Sequence, residues 1–479
     1  MIYMKDTPTI KGMKIGLEIH VQLTTESKLF CGCPNKFTRE PNTYVCETCL
    51  GFPGSKPRLN RKAVDYAIKI GIALNCKLNP EMFFSRKSYF YPDMSKNFQI
   101  TQYEMPLCNE GFIEINGTKI RITRVQIEED PARIIHIGPI EHAKYILVDY
   151  NRSGTPLCEI VTEPDFSSPQ EARTFLQELS SMMEYLGVYD SSIEGSMRVD
   201  ANLSLPKNSR VEIKNISGFK EVEKALNYEA VRQNILIRRN QKVLRETRGW
   251  NADSGVTISL RSKEEEEDYG YIYETDLPSV TIIDKANELR YDIPEFAKKK
   301  TDRYETELRI GRDMALAITN EPDLAEAFET VIMTEHSETI DPHLAAVFFS
   351  KILKKVLNYE NIRLKQTGIR TEWLINIIKR IKNKEITERT AELLLRDMVL
   401  KPQDPDILLK LRGLTRIDNK NALEPIIMNT LKENSMAIID YKHGNKEALE
   451  FLVGQVMRKT QGRADPVTTR KIILDKLDK

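Results

Sequence analysis

Gly16-Leu17-Glu18-Ile19-His20-Val21-Gln22-Leu23 puts Leu17, Ile19, Val21 and Leu23 on one face and Glu18, His20 and Gln22 on the other. This is the period-two alternation of a half-buried β-strand. A carboxylate, an imidazole and an amide in succession differ from the Lys, Thr and Ser of a merely solvated face, so the second face is a candidate site. The pattern returns in Ser196-Met-Arg198-Val-Asp200-Ala-Asn202-Leu-Ser204-Leu205, where even positions are polar and odd ones apolar, and in Arg210-Val-Glu212-Ile-Lys214-Asn215. Val125-Gln126-Ile127-Glu128-Glu129-Asp130 also alternates and ends in three consecutive acids. Adjacent carboxylates repel one another, which at a strand end implies either full solvation or a cation. Four distant segments thus offer Glu18/His20, Glu128/Asp130, Arg198/Asp200/Asn202 and Glu212/Lys214, a set suited to a magnesium-bound phosphate compound. A solvated sheet face is the competing reading.

The chain has 479 residues, enough for two to four domains. Its 71 Lys+Arg against 70 Asp+Glu neither demand nor exclude nucleic acid. Residues 455–479, by contrast, hold seven Lys or Arg against three Asp. No apolar run approaches the roughly 20 residues of a membrane span, and Met1 to Lys14 lacks a signal-peptide core, so a soluble, cytoplasmic protein is expected.

Seven cysteines, four of them clustered as Cys31-Gly-Cys33 and Cys46-Glu-Thr-Cys49, argue against a secreted disulfide framework. Two close pairs on two loops can converge into a four-thiolate tetrahedron for a structural zinc, with free thiols in a reducing cytosol as the alternative. Cys76, Cys108 and Cys158 sit singly and read as core residues.

Pro57–Leu78 has the apolar stripe of a helix, and Pro169–Leu186 has another behind Ser168 as N-cap. Between them, Arg86, Lys87 and Lys96 with Tyr89, Phe90 and Tyr91 form a loop that can grip phosphates and stack a base, or simply drape lysines over aromatics. Residues 112–149 read as strands, and Asp149 to Asp165 as a turn-rich segment dense in polar-ligand groups. The acidic run Glu264 to Asp268 reads as a solvated face. There is neither a phosphate-binding Gly-x-x-x-x-Gly-Lys-Ser/Thr loop nor a Gly-x-Gly-x-x-Gly turn, and no segment suited to a serine amidase. From Pro294 onward helical periodicity dominates. Pro402 and Pro405 mark a boundary, and the basic tail around Arg458, Lys459 and Arg463 is a candidate for an RNA backbone.

Taken together, Gly16 to Leu23, the two cysteine pairs followed by Leu50-Gly-Phe-Pro53-Gly, Arg86 to Asp93, Glu128-Glu-Asp130, Asp149-Tyr-Asn-Arg152, Met197 to Asn202, Glu212-Ile-Lys-Asn215 and Val453-Gly-Gln-Val-Met-Arg-Lys-Thr460 resemble the B subunits of aspartyl/glutamyl-tRNA amidotransferases. The resemblance runs in order along essentially the whole chain. It implies an α+β fold: an N-terminal cradle on a mixed or antiparallel sheet (1–293, zinc knuckle 31–49), a helical domain (294–400) and a tRNA-binding helical tail (401–479). It further implies that ATP phosphorylates the side-chain carboxylate of Asp or Glu misacylated on tRNA(Asn) or tRNA(Gln), and that ammonia displaces the phosphate. The ammonia would come from an amidase-like A subunit clasped by a small C subunit.

A carboxylate is a weak nucleophile toward an anionic phosphate, so such a site needs a divalent cation and fixed positive groups. The expected magnesium ligands are Glu18, His20, Glu128 and Glu129, with Asp130 or Asp200 assisting. Lys87, Arg198 and Lys214 are expected on phosphate, and Tyr91, Arg152, Asn202 and Glu212 on the nucleotide. ATP, magnesium and a structural zinc on Cys31, Cys33, Cys46 and Cys49 are the implied cofactors. One departure stands out: where the family reads Asp-Tyr-Arg-Tyr-Phe-Pro-Glu-Pro-Asp-Leu, this chain has Asp268-Tyr-Gly270-Tyr-Ile-Tyr-Glu-Thr-Asp-Leu277, so that loop is left out of the expected site. The alternatives are the related archaeal E subunit, whose synthetase-like insertion finds no room in 294–400, and a non-catalytic zinc-stabilised tRNA-binding scaffold.

Overall fold

A computed structural model describes residues 10–138, 144–262, 270–333, 340–413, 420–460 and 462–477, apart from the side chains of 261–262 and 420–422. The acidic run at 264–268 lies outside them. The chain divides into two compact units, Met1–Glu295 and Phe296–Lys479.

The first unit is built on a nine-stranded sheet. In chain order its strands are β1 (Lys14–Gln22), β2 (Lys77–Leu78), β3 (Cys108–Ile115), β4 (Thr118–Glu129), β5 (Pro156–Thr162), β6 (Met197–Ser204), β7 (Val211–Ile216), β8 (Glu246–Asn251) and β9 (Val256–Ser262). Their spatial order is β9-β8-β7-β6-β1-β5-β4-β3-β2, with the opening stretch of the sequence at the centre. Neighbours pair antiparallel except β7 and β8. A parallel pair needs a crossover connection, and the helix Phe219–Arg238 supplies it. The sheet is therefore mixed, and the α+β class holds.

The alternation read from sequence sets the two faces. Residues of β6 are buried and half-buried in turn, and on β1 Leu17, Ile19 and Val21 are buried while Glu18, His20 and Gln22 are half-buried. The apolar face is covered by helices α1 (Arg61–Ala73), α2 (Pro169–Tyr185) and α3 (Phe219–Arg238). Phe175, Leu176, Leu179, Val222, Ala225 and Leu226 lie in this core, and so do Cys76, Cys108 and Cys158. Ser168 caps α2 as expected, its hydroxyl accepting from Glu171 N at 3.2 Å. Beside the main sheet, Ser85–Ser88 is flanked by Phe98–Thr101 and Gly270–Tyr273.

Three local readings need correction. The helix expected over 57–78 is shorter, because the Asn60 side chain caps it at Lys62 N and Ala63 N and Asn75 takes a left-handed φ of 54° just after it. Residues Lys77–Leu78 then pair with β3. The segment read as turn-rich between Asp149 and Asp165 contains β5, a central strand. The third correction concerns Gln126 to Asp130, which are buried on both faces rather than alternately exposed. The neighbouring Phe98–Thr101 strand covers this end of β4: Gln99 Nε2 donates to Glu129 O at 2.7 Å, and Thr101 Oγ1 to Glu128 Oε2 at 3.3 Å.

Among the described residues the second unit contains helices and no strand. Tyr304, Phe328, Phe348 and Phe349 pack into an aromatic core. Toward the C-terminus Leu423, Ile427, Leu452, Val456, Ile472 and Ile473 form another cluster. Leu411, on the apolar pattern, is exposed. No helix among the described residues is long and apolar enough to cross a membrane.

One close approach ties α1 to the sheet. The Leu74 carbonyl accepts from Phe112 N at 2.8 Å, and a Cβ on the preceding Gly111 would stand 2.7 Å from the same carbonyl oxygen and against the Cys76 sulfur. Backbone cannot retreat as a flexible side chain can, so we expect Gly111→Ala to destabilise the protein by about 1–3 kcal/mol. Thermal or urea unfolding of the variant checks this, and an unchanged midpoint would refute it.

Candidate active site

The polar face of the sheet forms three successive rows. Gln126 lies across from Glu159, Glu159 from His20, and His20 from Arg198. Glu18 lies across from Asp200. Asn202 pairs with Glu212, and Glu212 with Thr247. A cavity of about 890 Å³ opens over these rows, with Glu18, Glu128, Glu159, Glu212, Lys87 and Lys214 in its lining.

Two acid clusters lie on this face, and Glu128 and Glu159 of one and Glu18 and Glu212 of the other line the cavity. One ligand atom each from His20, Glu128 and Glu159 lie within 4.8 Å of one another, and the same holds for Glu18, Asp200 and Glu212. In the first, His20 Nε2 stands 3.2 Å from Glu128 Oε1. Gln126 Nε2 donates to Glu159 Oε2 at 2.5 Å, while its own Oε1 is buried with no protein partner. In the second, Lys214 Nζ contacts Asp200 at 2.7 Å and Glu212 at 3.6 Å, and the Thr247 hydroxyl donates to Glu212 at 2.9 Å.

The electrostatics follow from burial. Burial by itself lowers the basicity of the His20 imidazole. The Glu128 hydrogen bond and charge, with Glu159 and Asp200, outweigh it and bring His20 to about 9. Burial and then the Glu128 charge push Glu159 up to about 7 against the partial relief of His20. Glu128 is held below the usual carboxylate range: burial opposes this, and the His20 hydrogen bond and the charges of His20, Lys87 and Arg198 prevail. Burial works against the Lys214 ammonium, but Asp200 and Glu212 raise it well above an ordinary lysine. Buried carboxylates in excess of nearby cations, together with an unpartnered amide oxygen, are a donor set that suits a hard divalent ion.

The expected residues divide. Glu18, His20, Lys87, Glu128, Asp200, Asn202, Glu212 and Lys214 come together on this face. Glu129 does not, because alternation along β4 turns it to the opposite face, where its carboxylate takes Lys96 Nζ and, at 2.8 Å, Ile100 N. Arg198 is bound at 2.6 Å to Asp130 rather than standing open to phosphate. Arg152 donates to the carbonyls of Pro131 and Ala132 at 3.0 and 2.8 Å and sits 3.4 Å from Asp130, outside the cavity lining. Tyr91 is exposed and also outside it. In the aromatic loop Arg86 and Lys87 point to opposite sides of their strand. Arg86 makes a bidentate bond of 2.7 Å twice to the buried Glu274, and only Lys87 faces the cavity.

Sequence reasoning misses Glu159, whose only signal is one acid inside the apolar run Leu157 to Val161, and it does not single out Gln126 as a site residue. It also leaves out the divergent loop, yet Tyr271 lines the cavity and stacks on Tyr103 at 3.9 Å between ring centroids. Gly270–Tyr273 is a strand paired with Ser85–Ser88, which carries Tyr271 to the same place as Lys87.

A second site lies in the cysteine loops. One sulfur from each of Cys31, Cys33, Cys46 and Cys49 lies within 4.8 Å of the others, a donor set that fits a tetrahedral thiolate metal. Cys46 N donates to Cys49 Sγ at 3.1 Å. The fully buried Lys28 ammonium stands 3.7 Å from the same sulfur and donates to the Tyr44 and Tyr150 carbonyls. The Cys31 hydrogen bond first, and Cys46 N and Lys28 after it, hold Cys49 down at about 5 despite burial.

The GatB/GatE catalytic domain family matches residues 13–288, and the GatB domain that follows it matches 326–477. The chain is 44% identical to the B subunit of the aspartyl/glutamyl-tRNA(Asn/Gln) amidotransferase of Methanospirillum hungatei, over 99% of this chain and 100% of that one. It is 42% identical to the corresponding protein of Saccharolobus solfataricus, over 97% and 99%, and 40% identical to that of Haloquadratum walsbyi, over 97% of both. The chain belongs to the GatB/GatE family, and within it to the group of B subunits.

Proposed function

We propose that this chain carries the kinase and amidation centre of a tRNA-dependent amidotransferase acting on Asp-tRNA(Asn), Glu-tRNA(Gln) or both. The observation that carries the reading is the pair of acid clusters whose Glu18, Glu128, Glu159 and Glu212 line one cavity with Lys87, Arg124 and Lys214. The names of its relatives agree with it. An oxygen of the substrate's side-chain carboxylate attacks the γ-phosphorus of ATP, ADP leaves, and the resulting acyl phosphate is opened by ammonia with loss of inorganic phosphate. Magnesium, held by His20, Glu128 and Glu159 with Glu18 near by, would supply the positive charge that lets two anions meet. Lys87 and Arg124 offset charge on the phosphates from the protein side, and Lys214 keeps Asp200 and Glu212 in place. Arg198 and Arg152 act one layer back, by fixing Asp130 and the turn that follows β4. Cys31, Cys33, Cys46 and Cys49 would hold a zinc through four thiolates, and its part would be structural.

Ammonia is taken from a glutaminase partner, an amidase-like A subunit with a small C subunit, in the cytoplasm. The same proposal divides the chain into a catalytic domain 1–293, a helical domain 294–400 and a tRNA-binding tail 401–479.

In the assembled complex, Glu128→Ala or His20→Ala is expected to lower ATP-dependent amide formation by about a hundredfold or more while partner glutaminase activity stays measurable. Normal amidation by either variant would remove the assignment.

Because a metal ligand must be unprotonated, magnesium has to displace protons from both Glu159 (about 7) and His20 (about 9). Affinity therefore rises with pH: the logarithmic slope should approach about two below pH 7 and about one between 7 and 9. Calorimetric titration at several pH values measures this, and a flat profile would remove both residues from the ligand set.

For the tail, Arg458→Glu combined with Lys471→Glu, both exposed, should weaken tRNA binding by about tenfold at physiological salt. Unchanged affinity in filter binding would refute its role.

A further inference from the structure

The cavity has a second end that the reaction scheme does not use. Lys14 lies across from Ser204 at the start of β1. Arg210 and Arg245 immediately precede the parallel partners Val211 and Glu246, so they stand side by side just beyond Ser204. All three line the cavity. Two described acids close to this end are held by other cations. Asp165, whose carboxyl feels Lys14, is held by Arg121 at 2.6 Å, and Glu246 is bound by Arg232 at 3.2 Å and Arg248 at 2.9 Å.

The two ends of the cavity differ in chemistry. At one, Tyr103, Tyr271 and Lys87 adjoin the row of Glu128, Glu159 and His20. At the other, three cations share the wall with Ser204 and Pro164. Six residues of β1 separate Lys14 from His20, about 20 Å of extended chain. A phosphate resting on Lys14, Arg210 and Arg245 is therefore not the one being transferred at the His20 row. The proposed substrate supplies other phosphates. Its reacting carboxylate is esterified to the terminal ribose of an RNA, and the phosphodiesters of that strand must lead away from the centre. Its unpaired end is flexible and anionic, and spaced cations along a wall track such a backbone.

We infer that Lys14, Arg210 and Arg245 bind the phosphodiesters of the RNA acceptor end and so set the direction in which the strand leaves the cavity. This rests on the transamidation reading above. The nucleotide, a different source of phosphate, is placed at the Lys87 end.

The test uses the assembled complex with Lys14→Ala, Arg210→Ala and Arg245→Ala singly and together, and compares the KM for aminoacyl-tRNA with that for ATP. The triple variant should raise the aminoacyl-tRNA KM by about tenfold or more and leave the ATP KM unchanged. The slope of log kcat/KM against log salt should fall by about 0.7 for each cation removed, as for single-stranded phosphates. Arg210→Lys with Arg245→Lys, which keeps the charge, should restore the slope. Such a rescue would not occur if the alanines had only disturbed folding. A raised ATP KM with an unchanged tRNA KM would assign the row to the nucleotide and overturn the inference. So would unchanged values of both together with normal amidation. Failure of the unaltered complex to form amide in the presence of ATP would instead sink the underlying reading, and this inference with it.

Discussion

Three consecutive carboxylates end a strand that is covered on both sides, and each of them must meet a positive group or take up a proton. Glu128, Glu129 and Asp130 are each less than a tenth exposed. An unpaired charge at such depth costs several kcal/mol, so neutralisation here constrains the whole first unit. The positive groups come from separate parts of the chain: His20 from β1, Lys96 from the loop after the Ser85–Ser88 strand, Arg198 from β6 and Arg152 from the turn before β5. Because neighbouring residues of a strand face opposite ways, the acids draw these partners to both sides of the sheet. Glu129 anchors the Lys96 loop, whose Ser95 hydroxyl in turn donates to the Cys49 carbonyl at 2.7 Å. Glu128 and Asp130 bind β1 and β6. The cysteine loops and the cavity are in this way joined through one strand end.

The same constraint shapes the electrostatics of the cavity. Burial first, and then the negative Glu128 beside it, with only partial compensation from His20, raise the Glu159 carboxyl to about 7. A divalent ion held there would relieve that repulsion. The neighbouring cluster is resolved differently, by Lys214 across Asp200 and Glu212. The two adjacent clusters thus draw on different internal cations, His20 in one and Lys214 in the other.

Much of this is legible in local sequence. The alternation of Leu17 to Leu23 and of Met197 to Leu205 predicts which residues face the core, and the structure follows it there, while Ser196, read as the first polar position of the second stretch, is buried. The spacing of Cys31, Cys33, Cys46 and Cys49 predicts their convergence. Other readings fail for identifiable reasons. Grouping Glu128 with Glu129 as metal ligands overlooks the period of two that separates them. Grouping Arg86 with Lys87 makes the same error, and Glu274, 188 residues away, removes the first from the site. Arg152 has the composition of a ligand residue and serves as a clamp on carbonyl oxygens. Glu159 is hidden because the turn residues on either side of β5 obscure a short strand with a single charged side chain. Tyr271 is hidden because a departure from the expected loop reads as a loss of function there.

What the sequence determined by itself is the set of properties that depend on a residue and its near neighbours: strand periodicity, helix stripes, the Ser168 cap and the pairing of cysteines by spacing. These follow from the fixed geometry of the backbone, in which successive side chains alternate along a strand and recur every three or four residues along a helix. Which charges meet was decided only by the tertiary structure. His20 faces Glu159 and Arg198 because β1 lies between β5 and β6 in one particular register, and a slip of a single residue would exchange its two faces. Register is settled by burying Leu17, Ile19 and Val21 under the helices, a collective requirement of the core that no local stretch encodes. The chemistry of the polar face is what that requirement leaves on the other side of the sheet.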